Sequence, residues 1–82
     1  MTHNIKIRIE FADAVLCGDK SFEVRKNDRG YRVGDIITFQ VVNRAGDYID
    51  HPLNSKKYRI TYVLSEWGIE VDYVVFAIKE IV

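Results

Sequence analysis

The sequence has little sulfur and little imidazole. Cys17 is its single cysteine, and His3 and His51 are its two histidines, among 82 residues. One cysteine cannot form an internal disulfide, and three soft ligands do not make a convincing zinc site. We therefore expect a protein without a metal site and without a cofactor.

Long apolar runs are also missing. No run approaches the roughly 18 apolar residues that a membrane span requires. The start, Met-Thr-His-Asn, has neither the basic segment nor the apolar segment of a secretion signal. These absences predict a cytoplasmic protein with no membrane partner.

An excess of charge of one sign is absent as well, because 12 basic residues balance 12 acidic ones. A neutral chain lacks the long-range field that draws strongly basic proteins to nucleic acids, so any binding of a polyanion must be local. Residues 20–32 form a local basic focus, with five basic and two acidic side chains. Such a focus can hold one or two phosphates, and it is equally typical of a solvated loop. Its basic residues are Lys20, Arg25, Lys26, Arg29 and Arg32.

What is present is the balance of one small domain over residues 1–82, with 48% hydrophobic and 29% charged residues. Alternating apolar residues predict strands over 4–9 and 57–64, and apolar runs predict strands over 36–42 and 73–78. Helical spacing predicts a short helix over 11–16 that ends before Gly18. A further strand over 21–25 is expected to turn Phe22 and Val24 inward and Glu23 and Arg25 to the opposite face. Residues 43–55 read mostly as loop.

Five or six short strands and one early helix predict a mainly β, α+β fold. We expect a small mixed sheet that curls into a barrel, with the helix covering one opening. The alternating strand and helix pattern of a doubly wound nucleotide-binding sheet is missing.

One segment resembles a known family. Its spacing, G-x-K-x-x-E-x-R, resembles the signature of the ASCH superfamily, small β-barrels related to the PUA domain of RNA-modifying enzymes. The whole order of motifs looks like a small bacterial and phage ASCH-like branch, a domain of unknown function with suspected RNA binding. The matching segments are His3 to Ile7, Gly18 to Arg29, Val33 to Ile37, Ile60 to Leu64 and Tyr73 to Ile78.

The resemblance implies a PUA-like barrel in which Lys20, Glu23 and Arg25 line a cleft for RNA or a nucleotide. Lysine and arginine can hold phosphate or base oxygens, and a glutamate between them can accept from an amino or hydroxyl group. We predict Lys26, Arg29 and Arg32 on the rim of the cleft. The matching Gly18, Gly34 and Asp35 are expected to be structural. The alternative is a salt-bridge cluster that only fixes the junction between helix and strand.

Two other functions stay open, because a fold of this kind hosts both binding and catalysis. Some superfamily members are amidohydrolases of acetylated cytidine, and their threonine nucleophile stands three residues beyond a lysine, where this sequence has Glu23. Ser21 follows Lys20 directly, and strand parity sends the two to opposite sides. We therefore predict no catalytic residue. A protein interaction module is the other alternative.

Aromatic residues in the predicted loops are candidates for stacking on unpaired bases. Tyr31 adjoins the basic focus and is the first candidate, followed by Tyr48 and Trp67. The aromatic residues within strands are expected in the core or on a sheet face. Cys17 is expected to be a buried or half-buried structural thiol, His3 a surface or capping residue, and His51 a loop residue.

Overall fold

The computed structural model describes residues 1–82 and contains five strands and one α-helix, with a short 3₁₀ helix at Pro52–Ser55. A mainly β fold with one early helix is therefore confirmed. In chain order the elements are β1 (Thr2–Arg8), α1 (Ile9–Leu16), β2 (Phe22–Lys26), β3 (Ile36–Val42), β4 (Lys57–Leu64) and β5 (Tyr73–Glu80). No helix of this fold is long and apolar enough to cross a membrane.

The five strands form one sheet in the order β1-β3-β4-β5-β2. Only the pair β1 and β3 is parallel, and its connection carries α1 and β2. The sheet curls into a half-barrel, so that its two edge strands, β1 and β2, approach each other. Side chains bridge this seam: Arg25 Nη2 donates to the Lys6 carbonyl at 2.5 Å, and Arg29 Nη1 donates to the Asn4 carbonyl at 2.9 Å.

The core fills the concave side of the sheet. Alternate residues of every strand point into it, and the largest fully buried side chains are Phe39 and Phe76. Ala12 and Val15 of α1 and Leu53 of the 3₁₀ helix complete the core from one opening of the half-barrel. Burial of each large apolar side chain contributes roughly 1.5–3 kcal/mol, so the curl of the sheet follows from its apolar inner face.

The turn before β3 ties the start of the chain to the sheet. Gly34 has φ +93°, a left-handed conformation that favours glycine, and its N–H donates to the Ile60 carbonyl at 2.8 Å. The carboxylate of Asp35 lies 2.8 Å from His3 Nε2 and accepts from the Arg32 N–H. His3 is buried, which corrects the expectation of a surface residue: its strand position faces inward and Asp35 satisfies its ring nitrogen.

The inner and outer faces of β2 are opposite to the sequence-based prediction. Glu23 is buried, whereas Phe22 and Val24 lie outside. The expected alternation is correct, and Glu23 and Arg25 do share a face. The expectation that the more apolar side chains of this strand face the core is wrong because the strand borders the seam, where neighbouring cations neutralise the inward carboxylate.

One further expectation about burial is wrong. Cys17 caps the C-terminal end of α1 and its thiol is exposed, because the chain leaves the core there and Gly18 turns it away with φ +88°. Tyr62 of β4 lies on the outer sheet face, one of the two placements expected for it, since an irregularity between Ile60 and Tyr62 shifts the register of β4 against β5.

Candidate functional site

Glu23 is the centre of the candidate site. It comes from the middle of β2 and is only 3% exposed. One carboxylate oxygen accepts from the Nζ of Lys20, and the other accepts from Nη2 of Arg25 at 2.8 Å and from its Nε at 3.2 Å. A buried carboxylate is tolerated only when it is paired in this way.

Lys20 lies between the end of α1 and the start of β2, where the turn at Gly18 directs the chain back toward the sheet. Besides Glu23, its ammonium donates to the Phe22 carbonyl at 2.8 Å. The Nζ atom lies 5.7 Å from the ring centre of Phe11 and 5.1 Å from that of Phe22. Two aromatic rings therefore flank the lysine head group, within the range of cation–π attraction.

Arg25 joins the glutamate to the opposite edge of the sheet. Its guanidinium contacts Glu23 and also the Lys6 carbonyl of β1, so one planar group crosses the seam. The two edge strands form no backbone ladder with each other, and side-chain hydrogen bonds connect them here instead. The result is an opening between β1 with α1 on one side and β2 on the other.

This opening is a cleft of about 660 Å³, which we call the seam cleft. Five basic residues and one acidic residue line it, although the whole chain is neutral. Only Arg8 of the five has a surface partner, Glu10, at 2.9 Å. The half-exposed rings of Phe11 and Phe22 form its apolar walls. The basic residues of the seam cleft are Lys6, Arg8, Lys20, Arg25 and Lys26.

The chemistry available in the seam cleft is that of an anion site with apolar walls. Its lining includes one hydroxyl, on Tyr73, and no serine, threonine or cysteine. Ser21 lines a neighbouring depression beside Cys17, and Lys20 lines both this depression and the seam cleft. A group with negative charge and a flat ring matches the combination of lysine and arginine donors with aromatic walls.

The structure brings together four of the predicted site residues, Lys20, Glu23, Arg25 and Lys26. Arg29 instead bridges the seam farther along β1, and Arg32 is exposed beside the Gly34 turn, outside the cleft.

The prediction that Tyr31 stacks on a base is corrected. Its ring is buried against Phe76, at 4.7 Å between ring centres, and against His3, at 4.8 Å. Burial also raises the pKa of the Tyr31 phenol. A ring enclosed in this way has no free face for a ligand, so Tyr31 belongs to the core.

Sequence reasoning missed Lys6, Arg8, Phe11 and Phe22 as cleft residues. Lys6 and Arg8 alternate with buried isoleucines along β1, which is also the pattern of any solvated strand face. Nothing in their spacing connects them with Lys20. They join the site because the sheet places β1 and β2 at its two edges and then curls.

Fold and site define a small curled-sheet domain with a basic cleft where its edge strands meet. The chain belongs to the family described as "Domain of unknown function (DUF3850)", whose model matches residues 2–78. Its fold is similar to the crystal structure of hypothetical protein PH0355, with a TM-score of 0.64 and 15% identity over 99% of this chain and 100% of that one. No curated protein matches the chain.

Proposed function

We propose that this chain is an ASCH-like domain of the PUA-like type that binds RNA or a nucleotide-like ligand in the seam cleft. The observation that carries the proposal is the contrast in charge. Five basic residues converge on one cleft in a chain with no net charge. Glu23 pairs with two of them and Glu10 with a third, so a bound anion would offset the positive charge that these two carboxylates leave uncompensated.

Different residues of the seam cleft would contact different parts of the ligand. Arg25 is held by Glu23 and by the Lys6 carbonyl, so its guanidinium is oriented before a ligand arrives, which lowers the entropic cost of binding. Lys26 forms no ion pair and can contact phosphate oxygens from one lip of the cleft, whereas the Lys6 Nζ lies 5.4 Å from the ring centre of Tyr48 and would leave that ring to contact them from the other lip. The rings of Phe11 and Phe22 offer stacking surfaces to a base.

Binding is better supported than hydrolysis of an acylated nucleoside. Each oxygen of the Glu23 carboxylate already accepts a hydrogen bond from Lys20 or Arg25. A serine, threonine or cysteine nucleophile is not among the lining residues. These contacts match a residue that holds two cations in place.

Fluorescence anisotropy with a short labelled single-stranded RNA tests the proposal. We expect Lys6→Ala and Lys20→Ala to weaken binding, and Arg32→Ala, which removes the same charge outside the cleft, to leave it unchanged. The logarithm of the affinity should fall with the logarithm of salt by about 0.7 for each phosphate contact.

The contrary outcome is RNA binding that neither cleft variant weakens, or no RNA binding at low salt. Lys6 is exposed and outside the Glu23 cluster, so its variant keeps the test valid if Lys20→Ala unfolds. Incubation with acetylated cytidine provides the second arm. Release of acetate that Lys20→Ala abolishes would favour the amidohydrolase alternative.

A further inference from the structure

The outward-facing strand positions of the sheet, here called the convex face, carry charge of one sign. They hold six basic residues and no acidic one. The two acidic strand residues, Glu23 and Glu80, are paired in register with the inward-facing Phe76 and Tyr58. All other acidic residues lie in α1 or in loops. The six basic residues are Lys6, Arg8, Lys26, Lys57, Arg59 and Lys79.

Apolar residues form two rows across β2, β5 and β4 on the same face. Phe22, Ala77 and Tyr62 are in register in one row. Phe22 is 44% exposed and Tyr62 is 62% exposed, so both rings are open to solvent. The next row holds Val24, Val75 and Leu64.

Cations border these rows at both ends. Arg59 and Lys79 lie directly opposite each other, both are exposed, and neither forms an ion pair. Like charges in directly opposed positions destabilise a sheet. A bound anion would remove that penalty. Lys26 lies opposite Tyr73 beyond the other end of the rows.

The convex face is continuous with the seam cleft. Phe22, Val24, Lys26 and Tyr73 belong to the convex face and also line the cleft, because β2 is the edge strand between them. A ligand in the cleft therefore meets the convex face without a break.

We propose that the ligand is single-stranded RNA whose chain leaves the seam cleft over β2 and crosses β5 to β4, stacking bases on Phe22 and Tyr62 with phosphates near Arg59 and Lys79. This inference rests on the proposed function of the cleft and extends it from a nucleotide to a polynucleotide. Sequence-tolerant binding of single strands uses this combination of exposed rings and basic groups.

The separation of the two strands that carry these rings is long enough for more than one nucleotide. Phe22 and Tyr62 stand on strands that are separated by β5, so two strand spacings of about 4.8 Å place them roughly 10 Å apart. A mononucleotide in the cleft does not extend to Tyr62. A second copy of the chain does not fit the convex face either, because two such faces would place cations against cations.

The test compares a nucleoside monophosphate with an RNA of about six nucleotides. We expect Tyr62→Ser to weaken binding of the oligonucleotide by roughly 5- to 150-fold and to leave the binding of the monophosphate unaffected. Replacing Arg59 and Lys79 together by alanine should reduce the salt slope by about 1.4. Arg44→Ala, in an exposed turn, is the control for loss of charge. Equal binding of the matching DNA also supports the proposal and assigns the face to single strands in general.

Three results would overturn it. If Lys6→Ala weakens binding of the oligonucleotide, and neither Tyr62→Ser nor the double replacement of Arg59 and Lys79 does, the cleft retains its function and the crossing path is wrong. If a poly-glutamate peptide binds as tightly as RNA and Tyr62→Ser weakens the binding of neither, the convex face binds any polyanion through charge alone, without stacking. If neither RNA nor monophosphate binds, the proposed function and this inference fail together.

Discussion

Glu23→Gln is the substitution with the clearest structural consequence. It keeps the shape of the side chain and removes the only negative charge of the seam cleft. Lys20 and Arg25 would then face each other without a counter-charge, and glutamine cannot accept from both as a carboxylate does. We expect a protein that still folds and is clearly less stable.

The size of the loss follows from burial. Breaking a fully buried ion pair costs about 3–5 kcal/mol. Here the Lys20 and Arg25 side chains are 20% and 26% exposed, so solvent screens part of the repulsion. We therefore expect a decrease of about 2–3 kcal/mol in the free energy of unfolding.

Urea denaturation provides the assay. With a slope of roughly 1 kcal/mol per molar for a domain of this size, the midpoint should fall by about 2–3 M. The matched control is Glu80→Gln, because Glu80 pairs with Lys56 at 3.2 Å on the surface, where such a pair contributes less than about 1 kcal/mol. Equal midpoints for the two variants would refute the assignment of Glu23 as the residue that holds the cluster together.

Three further predictions concern the rest of the fold. The hydrogen bond with His3, reinforced by the Arg32 N–H, lowers the pKa of Asp35 below its ordinary value of 3.8. The ionised Asp35 carboxylate therefore stabilises the fold above pH 3.8, and this stabilisation is lost as the pH falls through the lowered pKa. The difference in urea midpoint between wild type and Asp35→Asn should therefore shrink below about pH 4, and a constant difference would contradict this. Phe76→Ala should lower the free energy of unfolding by about 3–5 kcal/mol in the same assay, since its ring is fully buried; a loss under about 1 kcal/mol would argue against this core. Cys17 should react with a thiol reagent in the native protein as fast as in urea; protection in the native protein would place it inside.

The strands were predictable wherever one face is consistently apolar. The alternation over 57–64 and the apolar run over 36–42 correspond to β4 and β3, because burial against a core imposes a period of two on the sequence. Glu23 and Arg25 share a face of β2 as their spacing indicates, and Lys20 contacts Glu23 from the turn before the strand, which the alternation of the strand does not predict.

The inner face of β2 was not predictable in the same way. Alternation shows which residues share a face, but it does not show which face is inside. Phe22 and Val24 are the more apolar set, yet Glu23 is inside because Lys20 and the guanidinium of Arg25 neutralise it. These partners lie close to Glu23 in the sequence, but the alternation of apolar residues carries no information about the ion pairs that they form.

The extent of the site depends on contacts between distant parts of the chain. Lys6 of β1 reaches Arg25 of β2 because the sheet curls, and Tyr62 of β4 aligns with Phe22 only through Ala77 of β5. The spacing of residues within one segment contains no information about contacts with distant segments. The same reason explains Tyr31, which follows the basic focus in sequence and packs against Phe76 in space.

The most direct test of the account is an amide chemical-shift titration of labelled protein with a single-stranded RNA of about six nucleotides. We predict changes in residues 20–26 that continue across β5 to the amides around Arg59 and Tyr62 on β4. The 3₁₀ helix at Pro52–Ser55 should be unaffected. Unchanged spectra at low salt, or changes confined to that helix, would contradict the claim that the seam cleft and the convex face bind RNA.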